Sequence, residues 1–355
     1  MDKKTKKILA EISEKAARIG RPLRFMELCG THSQTIAEHG IKELMPKNIK
    51  LATGPGCPVC VTDQSDIDVV VGLALAGIPI AAYGDTLNVS GNIMSLEQAR
   101  QNGADVRIVY DISEALKIKK EKPNLIFFGL GFETTTPMTA WAIKRGLIVY
   151  SAHKIFPPAM DALLKNKNIK VDGFINPGHV SAIIGMEVYK KFKIPQVITG
   201  FSGIDVLKAI DMLLSQIIAK KTKVENEYAR VVQKNGNMKA KKLIAEVFEI
   251  SNAHWRGLGV IKKSGLKIRK KYQKQDAEFV HEGLIKKIKA GIKSKPSACK
   301  CGLVLQGLIE SKECPLFGKA CTPDMPYGAC MVSVEGGCNI EYKNSNAKFK
   351  NQNAK

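Results

Sequence analysis

The chain reads as an α/β protein with two Rossmann-like lobes, each holding a parallel sheet of about four strands, followed by a helical third domain. Three observations predict this. Short apolar runs of strand length alternate with helical segments from Leu23 to Thr199, the pattern of parallel strands with helices on their faces. The rhythm stops at Ser202, where longer amphipathic segments begin. The nine cysteines fall into two groups near the chain ends, with none between Cys60 and Cys299.

Residues 3–19 have apolar positions at helical spacing and end at Gly20 and Arg21-Pro22. Residues 1–21 are thus an N-terminal helix expected to pack on the third domain. The first α/β domain, 22–121, has strands at Leu23–Leu28, Ile49–Thr53, Ile78–Tyr83 and Val106–Tyr110. Ser65 with Asp68, Ser95 with Gln98 and Asp111 with Glu114 have capping-box spacing, and Gly40, Gly77 and Gly103 supply stops. The second, 122–201, has strands at Leu125–Phe128, Leu147–Tyr150, Gly173–Ile175 and Gln196–Thr199. Helices fit at Pro137–Arg145, Pro157–Lys165 and His179–Lys191. The third domain, 202–342, opens with a helix from Ser202 and Asp205, continues with helices near 222–234 and 238–250, and ends in a cysteine-rich stretch. Residues 343–355 are Asn/Lys-rich and read as a disordered tail.

Hydrophobic content of 45% and charged content of 25% are those of a soluble globular protein. The longest apolar run, Val69 to Tyr83, is broken by Gly72, Gly77 and Pro79 and is too short to span a bilayer. The N-terminus lacks an apolar signal-peptide core. A cytoplasmic protein, off the membrane, is expected. The net charge is +22, and twelve Lys/Arg crowd residues 262–295. That stretch reads as a solvated helical surface. With only Tyr272 and Phe279 to stack on bases, it does not argue for nucleic acid.

Residues unsuited to a core share one place, the loops after strands, where parallel sheets bind ligands. Cys29-Gly30-Thr31-His32 follows the first strand, and Gly54-Pro55-Gly56-Cys57-Pro58-Val59-Cys60 the second. Pro55 and Pro58 stiffen the latter, and Gly54 and Gly56 let another group approach the backbone. A stiff loop with two thiols suits a soft metal ion or a dithiol/disulfide couple. Glu133 sits in the Gly129–Thr136 loop; His153 and His179 follow later strands. Cys29, Cys57, Cys60, His32 and Glu133 are the candidate site. The Gly129/Gly131 loop lacks the Lys of a phosphate-binding loop and the third glycine of a dinucleotide fingerprint.

At the other end, Cys299, Cys301, Cys314, Cys321, Cys330 and Cys338 show no CxxC knuckle of the structural-zinc kind. Prolines beside Cys314 and Cys321 favour an iron–sulfur site. Six thiols exceed the four a cubane needs, which leaves a dithiol beside it.

Phe25-Met26-Glu27-Leu28-Cys29-Gly30-Thr31-His32, the Gly54–Thr62 loop, Gly131-Phe132-Glu133-Thr134-Thr135-Thr136-Pro137, Glu313–Pro323, Cys330-Met331-Val332-Ser333 and Glu335-Gly336 together resemble the HypD family of [NiFe]-hydrogenase maturation factors. The resemblance runs from about Arg21 to Tyr342. Asp63 departs from it, standing where the family pattern has Pro. The resemblance implies two Rossmann-like domains and a third with a [4Fe–4S] cluster. It implies a scaffold, formed with the small partner HypC, on which the Fe(CN)2CO group is assembled. HypE, loaded by HypF, would deliver cyanide. Cys29, Cys57 and Cys60 would hold the iron, with His32 and Glu133 lining the cleft. By the family's likeness to ferredoxin–thioredoxin reductase, Cys299, Cys314, Cys321 and Cys338 would ligate the cluster, with Cys301 and Cys330 as the adjacent redox pair. Cys299 and Cys301 are exchangeable in that assignment. The competing expectation is an iron–sulfur thiol–disulfide oxidoreductase acting on a partner protein.

Overall fold

The computed structural model describes residues 2–293 and 297–353. Every expected strand between Leu23 and Thr199 forms: β1 Leu23–Glu27, β2 Ile49–Thr53, β3 Ile80–Tyr83, β4 Val106–Val109, β5 Ile126–Gly129, β6 Ile148–Ser151, β7 Gly173–Pro177 and β8 Gln196–Thr199. β9, Val224–Asn226, lies where a helix was expected and extends the sheet beyond β8. The strands build two parallel sheets, one of five in the order β2-β1-β7-β8-β9 and one of four in the order β4-β3-β5-β6.

Sheet membership differs from chain order. β1 and β2 do not share a sheet with β3 and β4, as the expected 22–121 lobe requires. β1 pairs instead with β7, Phe25 opposite Gly173. The chain leaves the first sheet after β2, lays down the whole second sheet, and returns. An apolar strand buried on both faces looks alike in either sheet, so the run itself carries no address.

Side chains alternate across each strand and sort into three cores. Met26, Phe174 and Ile198 of the five-stranded sheet share one continuous core with Ile80, Ile126 and Phe128 of the four-stranded sheet. The outer face of the first sheet, with Phe25, Ile175 and Val197, is covered by two helices, Lys3–Ile19 and Gly203–Ile218. Ile8, Ile12 and Ala16 of the first meet Leu207, Ile210 and Leu214 of the second, and Lys15 pairs with Asp211 at 2.6 Å. The outer face of the second sheet, with Phe127 and Val149, packs on Phe248, Leu266 and Ile268. These belong to an antiparallel hairpin, β10 Phe248–Trp255 and β11 Gly259–Ile268, in a region expected to be helical.

Most local signals act as expected. Ser95/Gln98 and Ser202/Asp205 form capping boxes. Gly20, Gly40, Gly77 and Gly103 all take positive φ. Asp68 does not cap its helix: it is buried and binds Asn92 Nδ2 and Ile93 N, while Asp63 is the N-cap. The helix expected over 179–191 ends at Ile184, because Gly185 turns the chain at φ 81. Within the basic stretch, β11 reaches Ile268, and the helix Glu282–Gly291 lays Ile288 on Gly72, where a Cβ would meet it at 2.8 Å. The last helix, Gly337–Asn353, runs into the segment read as a disordered tail. Lys295 of the basic stretch and the last two residues of that tail lie outside the described residues. Among the described residues no helix is long and apolar enough to cross a membrane.

Candidate thiol site at the strand ends

Cys29 ends β1 and opens the helix Gly30–Glu38. Its N–H donates to Glu27 Oε2 at 2.8 Å, and Ser33 Oγ donates to Glu27 Oε1. Glu27 is a carboxylate within an apolar strand, and burial pushes it up to about 7. Burial, then the charges of Glu335 and Glu27, push the Cys29 thiol up to about 12. Glu335 reaches this helix from the cysteine-rich end and accepts from Thr31 Oγ1 at 3.3 Å. Glu27 and Glu335 sit in the quoted motifs, yet a single acid in an apolar run was the only sign that Glu27 belongs to the site.

The Gly54–Cys60 loop lies against Cys29. Gly54 N donates to Glu27 O at 2.9 Å, and Gly30 N to Gly56 O at 3.4 Å. A Cβ on Gly56 would run into the Cys29 and Leu28 backbone, so only glycine allows the two loops to touch. Cys57 and Cys60, 5.3 Å apart between Cα atoms, are joined by a disulfide. Two of the three expected iron ligands are therefore spent on each other in this form. The turn Pro58–Val61 carries Cys60, whose Sγ lies 3.8 Å from Ala329 O. Asp63 follows as N-cap of Gln64–Leu75 and pairs with His254 Nδ1 at 2.7 Å, an arrangement a Pro there cannot make.

Glu133 is buried in the loop after β5. Phe156 N donates to its Oε1 at 3.1 Å, its Oε2 has no partner, and burial pushes it up to about 7. Tyr189 is fully buried and bonded to Ser181 at 2.9 Å, and burial above all, then the charges of Glu133 and Cys29, raises its hydroxyl well above the ordinary value. His32 turns elsewhere. Its Nε2 bonds Gly200 O at 3.0 Å, its ring stacks on Phe201 at 4.9 Å, and burial lowers it to about 4. His179 also stacks on Phe201, with ring centroids 3.9 Å apart. His153 is held between Thr139 and Ser151 and is neutral, lowered by burial to about 3.

The C-terminal thiol stretch touches Cys60 through Ala329, the residue before Cys330. Cys301 Sγ and Cys330 Sγ are 2.7 Å apart, and both residues are buried. Cys299 bonds Cys301, and Cys338 bonds Cys330, so an expected ligand flanks each member of the pair. Hydrogen bonds from Cys299 and Cys330 pull the Cys301 thiol well down, and donating to Cys301 raises Cys330. Cys314 and Cys321 bracket a closed loop in which Cys321 N donates to Leu316 O at 2.9 Å. Among the described residues no group of three or more His, Cys, Asp or Glu stands arranged to hold a metal ion. The donor set nonetheless fits a cubane in kind. Four thiols remain once Cys301 and Cys330 pair, and Gly328 leaves room beside Cys299 Sγ that a Cβ would fill.

Comparison with known proteins follows the same residues. A family model described as HypD, Hydrogenase formation hypA family, matches residues 3–345. A Methanocaldococcus jannaschii protein named for hydrogenase expression and formation is 44% identical over 351 residues, covering 95% of this chain and 96% of that one. The hydrogenase maturation factor HypD2 of Bradyrhizobium diazoefficiens is 40% identical over 340 residues (90% and 88%). The hydrogenase maturation factor HypD of Escherichia coli is 39% identical over 355 residues (95% and 94%).

Proposed function

The chain belongs to the HypD family of hydrogenase maturation factors, and from that premise we propose that it is the thiol scaffold on which iron acquires cyanide and carbon monoxide. Iron is the cargo. Cys29, Cys57 and Cys60 bind it, since an electron-rich iron prefers soft thiolate donors. HypC completes the scaffold, HypE delivers cyanide charged on HypF, and the work takes place in the cytoplasm.

The observation that carries this reading is the contact of Cys60 Sγ with Ala329 O, one residue from Cys330. It sets the strand-end loop directly against the second sulfur site. In the disulfide form Cys57 and Cys60 cannot grip iron. Thiol–disulfide exchange opens them: two electrons and two protons leave the Cys301/Cys330 dithiol, whose S–S bond forms as the Cys57–Cys60 bond breaks. Cys299, Cys314, Cys321 and Cys338 would hold a [4Fe–4S] cluster, which supplies electrons one at a time when bound. Glu133, in the loop after β5 of the second sheet, and Tyr189, between β7 and β8 of the first, are both buried and keep water from the cleft. His32, bonded to Gly200, positions the helix that Cys29 opens.

The test is an infrared spectrum of the chain purified without oxygen after co-expression with HypC. Metal-bound cyanide and carbon monoxide absorb where protein is silent. Bands that vanish in Cys57→Ala support the scaffold. A blank window beside a normal cluster signal turns the reading to a thiol–disulfide oxidoreductase acting on a partner protein.

A further inference from the structure

Arg256 occupies the turn between β10 and β11, and that turn touches both sulfur sites. On one side Arg256 N donates to Val61 O and Arg256 Nε to Thr62 O, each at 2.9 Å. These are the carbonyls that follow Cys60. Trp255 forms a bridge with Thr62, and its indole is fixed by Ser264 Oγ at 2.8 Å. On the other side the turn packs on Gly302, next to Cys301: a Cβ there would meet Gly257 Cα at 2.8 Å. Gln306 Nε2 donates to Gly257 O at 2.8 Å and closes that contact. Arg256 Nη2 is buried and has no partner.

We infer that Arg256 is a positioning residue for the exchange between the two thiol pairs, holding the exit of the Cys57–Cys60 turn and favouring its reduced form. A disulfide is neutral and a poor hydrogen-bond acceptor. Reduced sulfur is a better one, and gains from a fixed cation with an unspent donor. The planar guanidinium serves two ends at once, since Nε is committed to Thr62 while Nη2 stays free. The inference rests on the reading of Cys57 and Cys60 as a redox couple.

The test compares Arg256→Lys with Arg256→Met in the full chain, two side chains of similar length that differ in charge. Each is equilibrated in thiol–disulfide buffers of glutathione or dithiothreitol, and the Cys57/Cys60 oxidation state is read by differential alkylation and mass spectrometry. Arg256→Met is expected to shift the equilibrium about tenfold toward the disulfide, and Arg256→Lys about threefold or less. A Met variant within twofold of the parent overturns the inference. So do equal shifts in both variants, which mark packing rather than charge, and so does a Lys variant that no longer folds by circular dichroism. A parent couple that no buffer reduces overturns the redox reading itself, which separates the two failures.

Discussion

The loop carrying Cys57 and Cys60 sits on the end of β2, the five-residue edge strand of the first sheet, whereas the thiols from Cys299 to Cys330 sit on one-turn helices and loops and Cys338 in the first turn of the last helix. In the first region backbone does the holding. Gly54 and Gly56 bond the neighbouring strand end, and Arg256 ties down the exit. In the second region the sulfurs hold one another through Cys299, Cys301, Cys330 and Cys338. The difference teaches what each is for. Thiols on a preformed frame can open and close around a cargo without moving the fold. Thiols that supply much of their own local structure suit a resident group that folds with them.

The sharpest way to break the comparison is to remove one thiol from each region. Cys57→Ala or Cys60→Ala is expected to cut hydrogenase maturation to background, measured as hydrogenase activity restored to a strain lacking its own factor, and to leave cluster absorbance unchanged. Cluster loss in these variants would mean that the two regions are one site. In the second region, Cys314→Ala or Cys321→Ala should reduce bound iron from about four atoms per chain to nearly none. Cys301→Ala should keep the cluster. Full occupancy in Cys299→Ala would instead hand the ligand role to Cys301.

The frame itself is tested at Gly56. A methyl group there meets the Leu28 and Cys29 backbone, which cannot yield as a side chain can. Gly56→Ala should lose about 3 kcal/mol of unfolding free energy in denaturant titration. An unchanged midpoint would show that the two loops are not pressed together.

A smaller effect, read by pH, concerns the buried carboxyl of Glu133 in the loop after β5. Burial raises Glu133 from 4.5 to about 7, so the folded state keeps a proton that the unfolded chain releases. Its contribution to stability is present below about pH 4.5 and is lost as pH rises through about 7. Relative to Glu133→Gln, the parent should lose on the order of 2–3 kcal/mol of stability between those limits. His32 and His153 titrate in both proteins and cancel in the difference. A difference independent of pH would show that Glu133 is solvated.

Much of this was legible along the chain. The eight strands were readable because each is a short apolar run bounded by glycine, proline or a capping residue, all local signals. The loops that carry Cys29, Cys57 and Glu133 were readable because sulfur and carboxylate at strand ends stand out against apolar neighbours. The hairpin β10–β11 was not. Phe248–Trp255 buries mainly its two ends, a weak period, and its antiparallel partner was hidden in a stretch whose lysines suggested a helical surface. Asp68 was mistaken for a capping partner because Ser65 precedes it at the right spacing, although its real partners lie 24 and 25 residues on.

The sequence by itself determined the α/β class, the two groups of thiols and the family, since these rest on composition, local periodicity and motif order. The tertiary structure decided which strands share a sheet, that β7 returns beside β1, and that Glu27, Arg256 and Glu335 sit beside the thiol loops. The physical reason is common to all of these. Pairing between distant strands and the burial of a lone polar group depend on what the rest of the chain brings alongside, and no local pattern encodes that neighbour.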